Sequence, residues 1–185
     1  MGVTLITACM NRNENLDMAL ATWIELQAID QIVIVDWSSE EDVKAVVDKY
    51  DDKRIEVIRV NGRKKWVLSQ AFNLAARMAR HEHILKVDAD VKVFPDFFSF
   101  HKLKKGFFYT GNGKIARNDN ERYLNGMIFI RREDFFEAGG YNEFIQSYGW
   151  DDDDLYGRVE KLGIKRIDIN PDTLYHIPHL NRHKY

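Results

Sequence analysis

The sequence predicts an α/β domain built on a central, mostly parallel sheet flanked by helices, and three observations predict it. Short apolar runs alternate with amphipathic stretches from residue 3 to residue 87. The run Ile32-Val33-Ile34-Val35 is β-branched throughout and shows no polar face. Acidic residues, Asp36 and Asp88, stand where two such runs end. Alternation of this kind is the pattern of βαβ units, and an apolar run without a polar face is a central strand covered on both sides.

Taken in order, Val3 to Ala8 form a first strand, and Leu16, Leu20, Trp23, Ile24 and Gln27 then recur at helical spacing. The β-branched run is the second strand. Ser38, with Glu41 three residues on, has the form of a capping box that opens a helix. A third strand covers Ile55 to Val60, and a helix with Val67, Ala71, Leu74, Ala75 and Met78 on one side leads to a fourth strand, His83 to Val87, which runs directly into Asp88-Ala89-Asp90. The second half is less regular. It holds an aromatic stretch from Phe94 to Phe98, a strand near Phe107 to Tyr109, and a polar segment from Gly111 to Asn125 that reads as a mobile surface loop. A strand over Met127 to Ile130, a short helix up to Gly139-Gly140, a helix from about Asp151 to Leu162 and a last strand ending near Tyr175-His176 follow.

Composition narrows the function. With 185 residues, one domain spanning 1–185 is expected, and a formal charge of −2 points to neither nucleic acid nor an anionic membrane as partner. Cys9 is the single cysteine, so no intrachain disulfide can form. The first residues enter a strand without a basic leader, and no apolar run reaches membrane-spanning length, so a cytoplasmic protein is expected.

In sheets of this class ligands bind beyond the carboxyl ends of the strands, so residues 7–12, Asp36 and the 88–90 triplet should converge on one crevice. No glycine-rich turn follows the first strand to cradle phosphates. Asp88 and Asp90, two apart on an extended segment, would face the same way and hold a hard divalent cation, although the triplet alone is equally a solvated turn. Trp150 precedes four consecutive aspartates, Asp151 to Asp154. One or two of these suffice to cap a helix, and crowding raises the pKa of some of them, as suits a general base. Trp150 offers a flat apolar surface for a sugar ring or a place in the core. Of the two late histidines, strand parity allows at most one to reach a given metal, and His176, inside the strand, is favoured over His179 beyond Pro178.

These landmarks, from Thr7 to Arg12, Val35 to Ser39, Asp88 to Asp90, Asn125-Gly126-Met127, Gly139 to Asn142, Gly149 to Leu155 and Tyr175-His176, resemble in order and spacing those of GT-A-fold glycosyltransferases. The likeness is greatest to the large family-2 group and to the C-terminal domain of galactosyltransferases and chondroitin-type synthases. It implies a Rossmann-like GT-A fold whose residues 1–90 bind nucleotide and whose residues 91–185 bind acceptor and carry catalysis. It implies nucleotide contacts at Ala8, Cys9, Arg12, Asp88 and Ala89, with Asp36 meeting a uracil and Trp66 stacking on it. It also implies a DXD-type site for Mn²⁺ or Mg²⁺ at Asp88, Asp90 and His176, acceptor contacts at Trp150 and Asp151, and Asp152 as the catalytic base. Asp151 stands where the family usually has Glu. The expected activity is inverting, metal-dependent transfer of a hexose or N-acetylhexosamine from a UDP-sugar donor to a carbohydrate acceptor. Two alternatives stand beside it. One is a domain that binds nucleotide-sugar or glycan without turnover. The other is a haloacid-dehalogenase-like phosphatase, whose nucleophile loop Val87 to Val91 resembles, but in that family the loop follows the first strand rather than the fourth.

Overall fold

The computed structural model describes residues 2–146 and 149–178. Strands β1 (Val3–Cys9), β2 (Gln31–Trp37), β3 (Ile55–Val60) and β4 (His83–Lys86) alternate with helices α1 (Asn13–Trp23), α2 (Lys44–Val47) and α3 (Leu68–Met78). Then come β5 (Val91–Val93), α4 (Phe97–Phe100), β6 (Phe107–Thr110), α5 (Asp119–Arg122), β7 (Ile128–Arg131), α6 (Arg132–Glu137), α7 (Asp151–Lys161), β8 (Lys165–Asp168) and β9 (Leu174–His176). Seven strands form one sheet in the order β3-β2-β1-β4-β7-β6-β8, and β5 pairs with β9 in a separate two-stranded sheet. Strands β1 to β4 run parallel, whereas β7 is antiparallel to both β4 and β6.

Every residue of β1 and β2 is buried, because side chains alternate between two covered faces. Leu5 and Cys9 join Leu16, Leu20 and Trp23 of α1 on one face, while Ile6 and Ala8 join Ala71, Phe72 and Ala75 of α3 and Leu155 and Tyr156 of α7 on the other. Trp23 is fully buried, and its indole N–H donates to the Val91 carbonyl at 3.0 Å, tying α1 to the small sheet.

Three local expectations change. Helix α3 buries Ala71, Phe72, Ala75 and Ala76 and leaves Met78 exposed, so its inward face is rotated from the one anticipated. Ser38 caps no helix: with φ of 61° it donates to the Val60 carbonyl and accepts from the Arg63 N–H, and α2 begins only at Lys44. The 111–125 segment is folded into a 3-10 turn at 113–115 and α5, capped by the side chains of Asn112 and Asn118. An Arg117 ion-pair network to Glu121 and Asp172 and the burial of Leu124 pin it against the domain.

A buried polar contact ties α3 to the segment that follows α6. Asn73, buried in α3, accepts from the Tyr141 N–H at 2.8 Å and donates to the Tyr141 carbonyl at 2.8 Å and to Glu143 at 2.9 Å. Gly140 makes room for it: its φ is +65°, and a Cβ there would lie 2.7 Å from Asn73 Oδ1. Asn73→Ala leaves two buried main-chain groups unpaired, at about 1–3 kcal/mol each. Thermal unfolding of that variant should show a midpoint lower by roughly 4–24 °C, from about 2–6 kcal/mol in total, and an unchanged midpoint would deny the contact this role.

Candidate active site

The carboxyl ends of β1, β2 and β4, the start of β7 and the first turn of α7 border the same region. Among the described residues, three other than glycine adopt left-handed backbone conformations. Asn11 (φ 56°) and Ser38 (φ 61°) follow β1 and β2, and Trp150 (φ 72°) precedes α7. For a bulky tryptophan this conformation costs about 1–3 kcal/mol, and such strain concentrates at functional sites.

Lys86, at the end of β4, is the centre of the site. Its side chain is fully buried, and Nζ donates to the Gly126 carbonyl at 2.7 Å, lies 2.9 Å from Asp88 Oδ1 and 3.8 Å from Asp152 Oδ1, and stands 4.4 Å from the Phe72 ring centre. Burial alone would push the ammonium pKa down, but Asp152, Asp88 and Asp151 outweigh it and the net shift is upward. Asp152 Oδ1 also accepts from the Tyr141 hydroxyl at 2.9 Å. Burial pushes the Asp152 carboxyl up, against the pull of Lys86, and Asp88 adds to the rise.

The four aspartates of α7 divide their tasks. Asp151 is buried, and its pKa is raised first by burial and then by Asp152. Asp152 turns to Lys86 and Tyr141, Asp153 is exposed, and Asp154 pairs with Arg158 through two hydrogen bonds of 3.0 and 2.7 Å. Trp150 is 80% exposed, so it is not a core residue and its ring is open to a ligand.

Asp88 and Asp90 do not face the same way. The chain turns after Asp88, with the Val91 N–H bonded to the Asp88 carbonyl at 3.0 Å, so the two-residue alternation of an extended segment does not apply. Asp88 turns to Lys86, whereas Asp90 Oδ2 lies 3.8 Å from His176 Nε2. Among the described residues no three His, Cys, Asp or Glu side chains are gathered to hold a metal ion, so the expected cluster of Asp88, Asp90 and His176 is divided. The Asp90–His176 spacing nevertheless suits a cation bridging an oxygen and an imidazole nitrogen, with bonds of about 2.0–2.6 Å. His176 is held in place by the Val91 pairing, by two hydrogen bonds between its main chain and Asn120, and by Tyr123 stacked at 4.6 Å. His179 lies outside the described residues.

On the nucleotide side, Ala8, Cys9 and Ala89 are buried at the ends of their segments, and Arg12 begins α1 as its N-cap. Trp66 is half-buried, edge-on to Phe72. Asp36 departs from the expected uracil contact. Its side chain has no exposed surface, because it accepts from the Ser39 and Val43 N–H groups and ion-pairs with Arg59, so it ties β2 to β3 and to the turn after β2. Burial, and then repulsion from Asp36, push the Cys9 thiol up to about 12.

Lys86, Tyr141 and Arg59 escaped the sequence reading. A lysine among apolar strand residues gives no signal of its own, but its place two residues before an acidic triplet was a cue.

Comparisons with known proteins bear on the family and the fold. The family model for glycosyl transferase family 2 matches residues 4–137, and the model described as the N-terminal domain of galactosyltransferase matches residues 112–180. The chain is 27% identical over 128 residues to β-1,4-galactosyltransferase 4 of Cricetulus griseus, which covers 66% of this chain and 37% of that protein. The mannosyltransferase PcManGT from Pyrobaculum calidifontis, solved with GDP-Man and Mn²⁺, superposes with a TM-score of 0.76 at 17% identity, over 99% of this chain and 58% of that one. A Drosophila β1,4-galactosyltransferase 7 mutant, solved with manganese, UDP-Gal and xylobiose, gives 0.70 at 14% identity, over 97% of this chain and 72% of that one. The fold is thus that of GT-A glycosyltransferases, and the chain spans less than half the length of its curated relative.

The state of Cys9 can be checked directly. A buried thiol with so high a pKa should not react with Ellman's reagent at about pH 8 in the native protein and should react fully after denaturation. Rapid native labelling would mean that the strand end is open.

Proposed function

The chain belongs to glycosyl transferase family 2, and on that basis we propose that it transfers a hexose or N-acetylhexosamine from a UDP-sugar to a carbohydrate hydroxyl, with inversion at the anomeric carbon. The observation that carries this reading is the meeting of Asp88, at the end of β4, with Asp152, at the start of α7, around a single buried ammonium. A strand-end carboxylate suits the donor side, and a helix-start carboxylate suits the acceptor side. The β1,4-galactosyltransferase 7 structure holds UDP-Gal and the PcManGT structure GDP-Man; the match of residues 112–180 to the galactosyltransferase model is what inclines the reading to UDP.

Asp90 and His176 would hold Mn²⁺ or Mg²⁺, with Asp88 beside them. The bound cation would neutralise the charge of the departing diphosphate. The nucleotide would lie over the ends of β1 and β4, against the main chain at Ala8 and Cys9, near Arg12, Asp88 and Ala89, with Trp66 available for stacking. The acceptor would rest on Trp150 and Asp151. Asp152 would take the acceptor hydroxyl's proton as the new glycosidic bond forms and the bond to diphosphate breaks, a separation of tasks that an inverting displacement requires. Residues 1–90 would then serve mainly the donor and residues 91–185 the acceptor, with His176 reaching back across that division.

Two measurements test this. In calorimetry, UDP should bind with Mn²⁺ present and not in EDTA, Asp90→Asn should weaken UDP and metal together, and GDP should bind more weakly than UDP. Equal UDP binding in EDTA would rule out the metal assignment. In a transfer assay with a UDP-sugar, Asp152→Asn should lower turnover by about 10²–10⁴-fold while leaving UDP binding nearly intact. Near-normal transfer in that variant would move the base to another residue.

A further inference from the structure

Asp152 carries an asymmetric set of contacts. Its Oδ1 accepts from the Tyr141 hydroxyl at 2.9 Å and faces the Lys86 ammonium at 3.8 Å. Its Oδ2 borders Gly126: a Cβ added there would lie 3.1 Å from Asp152 Oδ2, 3.3 Å from Asp88 Oδ2 and 3.0 Å from Lys86 Nζ. Both partners of Oδ1 are themselves fixed. Lys86 is fully buried and bonded to the Gly126 carbonyl, and the main chain of Tyr141 is bonded on both sides by Asn73. A carboxylate held at one oxygen by two immobile groups has little rotational freedom left, and so presents its other oxygen in one orientation.

We propose that Lys86 and Tyr141 are positioning residues that clamp Oδ1 of Asp152, leaving Oδ2, in the space kept open by the missing side chain of Gly126, as the oxygen that receives the acceptor proton. The inference rests on Asp152 being the base. Lys86 then has a second task, because the same ammonium holds Asp88 at 2.9 Å and keeps two like charges, one from each side of the site, close together.

The test uses Tyr141→Phe, which keeps the ring and the charge balance, together with Lys86→Met and Gly126→Ala. Each is measured for kcat and acceptor KM, with Mn²⁺-dependent UDP binding as the check of an intact donor side. Tyr141→Phe should lower kcat about tenfold, and Lys86→Met and Gly126→Ala about 10²-fold, with UDP affinity changed less than about threefold in Tyr141→Phe. Combined with Asp152→Asn, Tyr141→Phe should cost nothing further, since it acts through that carboxylate, whereas Lys86→Met should keep only the smaller loss that passes through Asp88. Should Lys86→Met fail to fold, the Tyr141→Phe cycle and Gly126→Ala decide alone. Wild-type kcat in Tyr141→Phe, or an equal loss whether or not Asp152 is present, would overturn the clamp. Normal transfer by Asp152→Asn itself would instead overturn the base assignment beneath it.

Discussion

Burying the Lys86 ammonium is the constraint around which the site is arranged. An isolated charge in the interior is unfavourable by several kcal/mol, so every group that Lys86 meets has to answer it. Four segments do so, through the main chain of Gly126, the carboxylates of Asp88 and of Asp152, and the face of Phe72. None of them suffices alone. The carbonyl carries only a partial charge, the ring face contributes on the order of 2 kcal/mol when desolvated, and of the two carboxylates Asp88 is a near neighbour in the sequence while Asp152 must be brought in by α7. The ammonium is therefore tolerated only in the completed fold, and in return it holds together two carboxylates that would otherwise repel each other.

The sheet topology is what makes this meeting possible. β4 ends the run of four adjacent parallel strands, and its other neighbour, β7, is the one reversed strand of the large sheet, since β6 and β8 beyond it run parallel again. A parallel neighbour would start beside the start of β4. An antiparallel one starts beside its end, so Ile128 pairs with Lys86 and the preceding Gly126 carbonyl is delivered to Nζ. Tyr156 of α7 donates to the carbonyls of Asn125 and Met127 on either side of Gly126, at 3.0 and 3.2 Å, and so anchors the helix that carries Asp152 to the same turn. The single reversal at β7 thus coincides with the meeting of the proposed donor and acceptor sides.

Much of this was legible in the sequence, and the failures have physical reasons. The apolar runs of β1 and β2 announced buried central strands because nothing but two-sided burial favours such composition. Asp88, Asp90 and His176 were read as one metal site, but alternation was applied to a segment that turns, and Asp88 and Asp90 have different neighbours. Asp36 was read as a ligand contact because it ends a strand. The Arg59 that absorbs its charge lies on the adjacent strand, and pairing across strands is not written in local pattern. The aspartate run hid a division of labour that depends on which way each side chain leaves the first turn of α7. Ser38 and Glu41 had the spacing of a capping box, yet a left-handed residue after β2 took the hydroxyl elsewhere.

The small sheet also bears on how the molecule comes into being. His176 is brought to Asp90 by the three residue pairs that join β9 to β5, together with its contacts to Asn120 and Tyr123, and β9 follows every strand of the large sheet in the sequence. During synthesis on the ribosome, the parallel core and the Lys86 cluster can therefore form while the partner of Asp90 has yet to emerge. Such a nascent chain would already have its fold but could not yet retain a metal at the Asp90–His176 pair. Competence for chemistry would come as a late event, separate in time from the burial that stabilises the domain.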